Sequence, residues 1–115
     1  MKYRVAIGTK DKKNITEHFG QCDKFYIIDI DQENDAISFV EDRNTDFSKQ
    51  CGEHHNEIIG AKIAALKDCQ IVLVNQIGGQ SVKLLQHNGI IPLESQDSVE
   101  NALIKIKKFY KRQFF

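Results

Sequence analysis

The chain has 115 residues and a mass of 13.2 kDa, the size of a single domain with a sizeable core. An apolar fraction of 41% is too high for a disordered chain, and sixteen basic residues cancel sixteen acidic ones, which argues against a nucleic-acid binder. No apolar run approaches the roughly 18–20 residues that a membrane span needs.

Tyr3 to Gly8 (YRVAIG) is a short β-like run ending in glycine. Lys10 to Asn14 is a polar turn. Phe25 to Ile30 (FYIIDI) is rich in aromatic and β-branched residues and predicts a strand. Gln32 to Asp35 is a tight polar turn, and Ala36 to Val40 (AISFV) alternates as the returning strand of a hairpin. Short links between these three runs make them antiparallel neighbours. Asn44 to Gly52 is a polar loop. Glu53 to Lys67 predicts a helix, with Ile59, Ile63 and Leu66 at spacings of four and three. Ile71 to Val74 (IVLV) is continuously apolar, as in a strand covered on both faces. Gln80 to His87 is a short helix, ended by Asn88-Gly89 with Gly89 suited to the left-handed position after a helix. Ile90-Ile91 is a last short strand closed by Pro92. Asp97 with Glu100 has the spacing of a capping box, and Val99, Leu103, Ile106 and Tyr110 follow at helical spacing. The order βββαβαβα implies one α/β domain over residues 1–115. Its mixed five-stranded sheet has the first three strands antiparallel, the later ones parallel, and helices packed on it.

Charge is unevenly placed. Seven acids and one base, Arg43, lie between Asp29 and Asp46, and five bases with no acid lie between Lys105 and Arg112. Two solvated faces account for this, or a docking patch at the basic, aromatic C-terminal stretch.

Three cysteines, Cys22, Cys51 and Cys69, do not make a disulfide framework. The opening Met1-Lys2-Tyr3-Arg4 is too short and wrongly flanked for a signal peptide. The cysteine usage points to a reducing, cytoplasmic setting. Cys69 abuts the IVLV strand and reads as a buried core thiol, dispensable for binding.

The remaining thiols and imidazoles suggest chemistry. His18 follows strand one, and Cys22 precedes strand two at the same edge. Cys51-Gly52-Glu53-His54-His55 opens the first helix, and Gly78-Gly79 follows IVLV. Ligands in open α/β sheets collect outside the carboxyl ends of parallel strands, which is where His18 and Gly78 would meet. Thiolate and imidazole favour iron, zinc, copper and iron–sulfur species over magnesium or calcium. The helix dipole favours neutral, ligating imidazoles at His54 and His55. Gly78-Gly79 offers either a turn or a backbone N–H cradle for an anionic ligand. His18, Cys51 and His55 are the metal-ligand candidates, with Cys22, His54, Gly78 and Gly79 completing the cofactor-binding set. No residue is assigned a catalytic role.

Glu17-His18-Phe19-Gly20 precedes FYIIDI. A His-bearing loop then leads into a helix, followed by Asp68-Cys69-Gln70-Ile71-Val72-Leu73-Val74 and Ile77-Gly78. Together they resemble the dinitrogenase iron–molybdenum cofactor biosynthesis family. Asn88-Gly89-Ile90 and Ser98-Val99-Glu100-Asn101-Ala102-Leu103 are similar to its closing strand and helix. The resemblance runs from Val5 to about Phe109 and implies a ribonuclease-H-like fold. It also implies non-catalytic binding of iron–sulfur clusters or the iron–molybdenum cofactor and its precursors. The family's functional histidine falls on His18. Many members carry a His-Gly-rich loop where this chain has Cys51 to His55, and Gly-Gly-Ile-Gly where it has Asn75-Gln76-Ile77-Gly78.

The resulting expectation is a carrier of an iron–sulfur cluster or iron–molybdenum-type precursor. It would serve metallocluster assembly or acceptor proteins, as a monomer or weak homodimer, without nucleic acid or membrane. The alternatives are a protein-interaction domain with incidental Cys and His, and a ribonuclease-H-like hydrolase. Strand one has no acid, and Asp29 and Asp31 read as solvated, which disfavours a two-metal nuclease. A thiol hydrolase built on Cys51 and His55 lacks an orienting signature.

Overall fold

The computed structural model describes residues 2–46 and 55–114. Strands β1 (Lys2–Ile7), β2 (Lys24–Asp31) and β3 (Ala36–Asn44) come first, with a 3₁₀ turn at Phe19–Gln21 before β2. Helix α1 (His55–Ala65), β4 (Ile71–Val74), α2 (Gly79–His87), β5 (Ile91–Glu94) and α3 (Val99–Phe114) follow. The five strands form one sheet in the order β3-β2-β1-β4-β5. β1 and β2, and β2 and β3, pair antiparallel, while β1 with β4 and β4 with β5 pair parallel. The mixed five-stranded sheet read from the sequence is therefore the one observed.

Period-two alternation decides which side chain meets which helix. Ala6, Phe25, Ile27, Val72 and Val74 face Ile59 and Ile63 of α1, Leu66 just beyond it and Leu85 of α2. Tyr3, Val5, Ile7, Ile28, Ile30, Ile71 and Leu73 face Val99, Leu103, Ile106 and Tyr110 of α3. The rings of Tyr3 and Tyr110 stack with centroids 3.8 Å apart. β4 lies between β1 and β5 with all four residues buried, as its unbroken apolar run demands.

Several boundaries differ from expectation, and α1 ends at Ala65, two residues short of Lys67. β3 runs four residues past Val40, to Asn44. A bulge at Val40 resets its register on β2, and its charged end is held by Arg43, which bonds Glu41 and Asp68 at 2.6 Å each. β5 continues through Pro92 to Glu94 because it is an edge strand, where the missing N–H costs no ladder bond. The cap of α3 is Ser98 rather than Asp97. The Ser98 hydroxyl accepts the Asn101 N–H at 3.1 Å, while Asp97 accepts from the Ser98 N–H at 2.7 Å.

The acidic stretch largely pairs with bases. Asp29 and Asp68 meet Arg4, Asp42 meets Lys12 and Asp35 meets Lys107. Among the described residues, no helix is long and apolar enough to cross a membrane.

Candidate functional site

The site forms where β1 and β4 end side by side. Gly8 leaves β1 with its N–H on the Leu73 carbonyl at 2.8 Å, and its own carbonyl accepts from Thr16 and Glu17. A Cβ on Gly8 would lie 2.9 Å from Val74 Cγ1 and 3.1 Å from Glu17 Cβ, so only glycine lets the chain fold back this closely. The returning segment then follows the chain beyond β4. The Asn75 N–H donates to the Glu17 carbonyl, the Phe19 N–H donates to the Gln76 carbonyl (both 2.9 Å), and His18 bridges Gln76 in parallel.

His18 is thereby held exposed in extended conformation at the rim. Phe19 drops into the core against Phe25, which anchors the turn from below. Gly78 and Gly79 sit just past Gln76, exposed at the start of α2. The fold therefore brings His18 and the Gly78-Gly79 segment to one rim, as the topology predicted. Gly78 has an ordinary extended backbone, and a Cβ on either glycine would meet open space. Neither is required by local sterics.

Cys22 does not open onto this rim. It is buried, and its thiol donates to the Lys24 carbonyl at 3.3 Å. Burial pushes its pKa up to about 12, which keeps the sulfur protonated and poorly suited to ligate a metal. Its polar neighbours suggested an exposed loop thiol, but the 3₁₀ turn tucks it beneath. Cys69 is buried as expected, with its thiol likewise raised to about 12 by burial. Cys51 and His54 lie outside the described residues, as does the side chain of His55, whose backbone begins α1. Among the described residues, no group of three His, Cys, Asp or Glu side chains is placed to hold a metal ion.

Two residues that sequence reasoning passed over organise the turn. Lys62 is 2% exposed, and its ammonium donates to the carbonyls of Phe19 (3.1 Å), Gly20 (3.3 Å) and Cys22 (2.7 Å). Burial pulls its pKa below the usual lysine value, while the three carbonyl acceptors favour the charged form. Thr45 is fully buried, and its hydroxyl donates to the Cys22 carbonyl at 3.3 Å. The chain thus leaves β3 and re-enters through α1 against the same turn. The missed signal was positional, because Lys62 sits at i+3 from Ile59 and i−4 from Leu66, within the apolar stripe of α1.

The family model for the dinitrogenase iron-molybdenum cofactor matches residues 1–108. The chain belongs to that family. It is 28% identical over 117 residues to a protein named NifX from Sinorhizobium fredii, covering 94% of this chain and 70% of that one. It is 32% identical over 102 residues to the FeMo cofactor biosynthesis protein NifB of Herbaspirillum seropedicae, covering 87% of this chain but 19% of that protein. The chain thus spans about a fifth of that relative's length. The apo form of the orange protein from Desulfovibrio gigas shares the fold, with a TM-score of 0.63 at 17% identity over 92% of this chain and 88% of that one. A putative NifB protein from Thermotoga shares it with a TM-score of 0.53 at 18% identity, over 92% and 88% of the two chains.

Proposed function

We propose that this member of the cofactor family is a non-catalytic carrier. Its cargo is an iron–sulfur cluster or iron–molybdenum-type precursor, received from and delivered to other metallocluster-assembly proteins in the cytoplasm. The observation that carries the reading is His18, an exposed imidazole on a turn braced from beneath, at the rim shared with Gly78-Gly79. His18 supplies one ligand, and Cys51 with His54 or His55 supplies the rest. Cys22, buried and protonated, is left out of the ligand set. The N–H groups at Gly78-Gly79 face the anionic cargo. Thiolate and neutral imidazole are ligands that iron–sulfur species accept.

We read the fold as a ribonuclease-H-like frame used for binding rather than hydrolysis. β1 carries no acid. Asp29 is held by Arg4, and Asp31 accepts the Glu33 and Asn34 N–H groups of the hairpin turn. Neither carboxylate is left to hold a pair of metals. Anaerobic incubation with iron and sulfide, followed by optical and EPR spectra, tests the carrier reading. Sulfide-to-iron charge-transfer bands that disappear in His18→Ala support it. A colourless wild-type protein after desalting overturns it.

A further inference from the structure

Helix α1 contributes one charged side chain to an otherwise apolar stripe, and that side chain reaches the backbone of the candidate site. Three main-chain carbonyls of the Phe19–Cys22 turn converge on the Lys62 ammonium. The same ammonium lies 5.6 Å from the centroid of the Phe19 ring, the turn's apolar anchor. Among the described residues, Lys62 forms no salt bridge; its hydrogen bonds run to the turn itself, and the charges of Asp23 and Asp46 favour the ammonium from farther off. A lysine so buried is rare unless it is paired, because desolvating the ammonium is costly. The carbonyls of the turn provide the compensation. Without the ammonium the Gly20 carbonyl would lose its donor, the Phe19 carbonyl would keep only the Cys22 N–H at 3.3 Å, and the Cys22 carbonyl only the Thr45 hydroxyl at 3.3 Å.

We infer that Lys62 is the positioning residue of the site: a cationic strut that fixes the Phe19–Cys22 turn against α1 and thereby sets where His18 stands at the rim. Lys62 does not touch the cargo. Only two backbone hydrogen bonds close the turn, from the Gln21 N–H to the His18 carbonyl (3.1 Å) and from the Cys22 N–H to the Phe19 carbonyl (3.3 Å). Its shape therefore depends on what holds its carbonyls. Gly20 gives the turn no side chain with which to hold itself, leaving the strut from α1, the Thr45 hydroxyl on the Cys22 carbonyl, the Phe19 N–H on Gln76 and the Phe19 ring as its supports. The link to cargo capture rests on the carrier reading; the link to turn geometry stands without it.

The test uses Lys62→Met, which keeps the length and apolar stem but has no donor, and Lys62→Arg, which keeps charge and N–H donors. Amide hydrogen exchange of Gln21 and Cys22 should speed up by about tenfold or more in Lys62→Met, with Val72 and Leu73 in β4 unchanged, and Lys62→Arg should restore most of the protection. Tetrathiomolybdate, a metal–sulfur dianion, serves as the binding probe. Its affinity should fall about tenfold in Lys62→Met, and adding His18→Ala should cost much less than the two single losses combined. Unchanged exchange in the turn, or fully additive losses, overturns the inference. If the wild-type protein binds no tetrathiomolybdate, the exchange comparison alone decides the strut, and it is the carrier reading that suffers. If Lys62→Met does not fold, Lys62→Gln, which keeps two N–H donors without the charge, carries the same readouts.

Discussion

Gly8 and Val74 approach so closely that a Cβ on the glycine would stand 2.9 Å from Cγ1 of the valine. This contact closes the rim between β1 and β4, and Glu17 is drawn into it from the other side. Gly8→Ala must push Val74 or the Glu17 backbone aside. The expected loss is about 1–3 kcal/mol of unfolding free energy, read from urea denaturation with an unchanged slope. Because Glu17 adjoins His18, uptake of iron and sulfide should fall as well. A variant as stable as the wild type would show that the rim has slack.

His18 carries little of the fold's stability, because its side chain is exposed. His18→Ala should change unfolding free energy by less than about 0.5 kcal/mol while weakening cluster uptake. Cys51→Ala should weaken uptake too, and the double variant should lose less than the sum, since one site is being dismantled twice. Strict additivity would separate the two residues into independent sites.

The two buried thiols should behave as core atoms. With a pKa of about 12, roughly one in ten thousand Cys22 or Cys69 side chains is ionised at pH 8. Alkylation by iodoacetamide, followed by peptide mass spectrometry, should find both protected in the native state and labelled in urea. Cys22→Ala and Cys69→Ala should each cost about 1 kcal/mol in packing and leave uptake intact. Loss of uptake in either folded variant would return that sulfur to the ligand set.

Asp68 predicts an acid sensitivity far from the rim. Its carboxylate receives Arg43 and Arg4, each at 2.6 Å, and hydrogen bonds from Arg43 above all hold its pKa well below the usual carboxylate range. A carboxyl whose pKa falls on folding adds stability above its unfolded value near 4, and that stability drains away as pH falls through the folded value. The side chain is 44% exposed, so solvent screening limits the gain to about 1 kcal/mol. Asp68→Asn should therefore cost about that much at pH 7 and flatten the loss of stability below pH 4. A variant that loses stability on acidification as steeply as the wild type would place the acid response elsewhere.

The legible parts of the fold were those where one chemical pattern has one structural solution. Ile71–Val74 was readable to the residue because four consecutive buried apolar side chains fit only a strand covered on both faces. Gly89 was readable as a helix stop, and its φ is 75°. The end of β3 was not, since Glu41 to Asn44 look like loop until Arg43 is seen to reach Asp68. At the site, His18 and Gly78 were placed by topology alone. Cys22 was misplaced because Gln21, Asp23 and Lys24 are polar, although the turn between them points the sulfur inward. Lys62 was passed over because its role exists only once α1 lies across the Phe19–Cys22 turn.

The strand order has a consequence for assembly of the molecule. β2 and β3 are joined by a tight turn and pair through contacts close in sequence, so that hairpin needs little chain closure to form. β1 finds its first neighbour in β2, but its other edge stays bare until Val5 can meet Ile71, far along the chain. Sheet closure at the centre therefore waits on the most distant pairing, and the rim, which needs β4 for the Gly8 and His18 contacts, belongs to the late-forming part. Until then, Ile37 and Phe39, still 44% and 55% exposed in the finished fold, lie on an edge strand guarded by one bulge and a run of charge. The newly made chain is open to sticking there and at the still bare edge of β1.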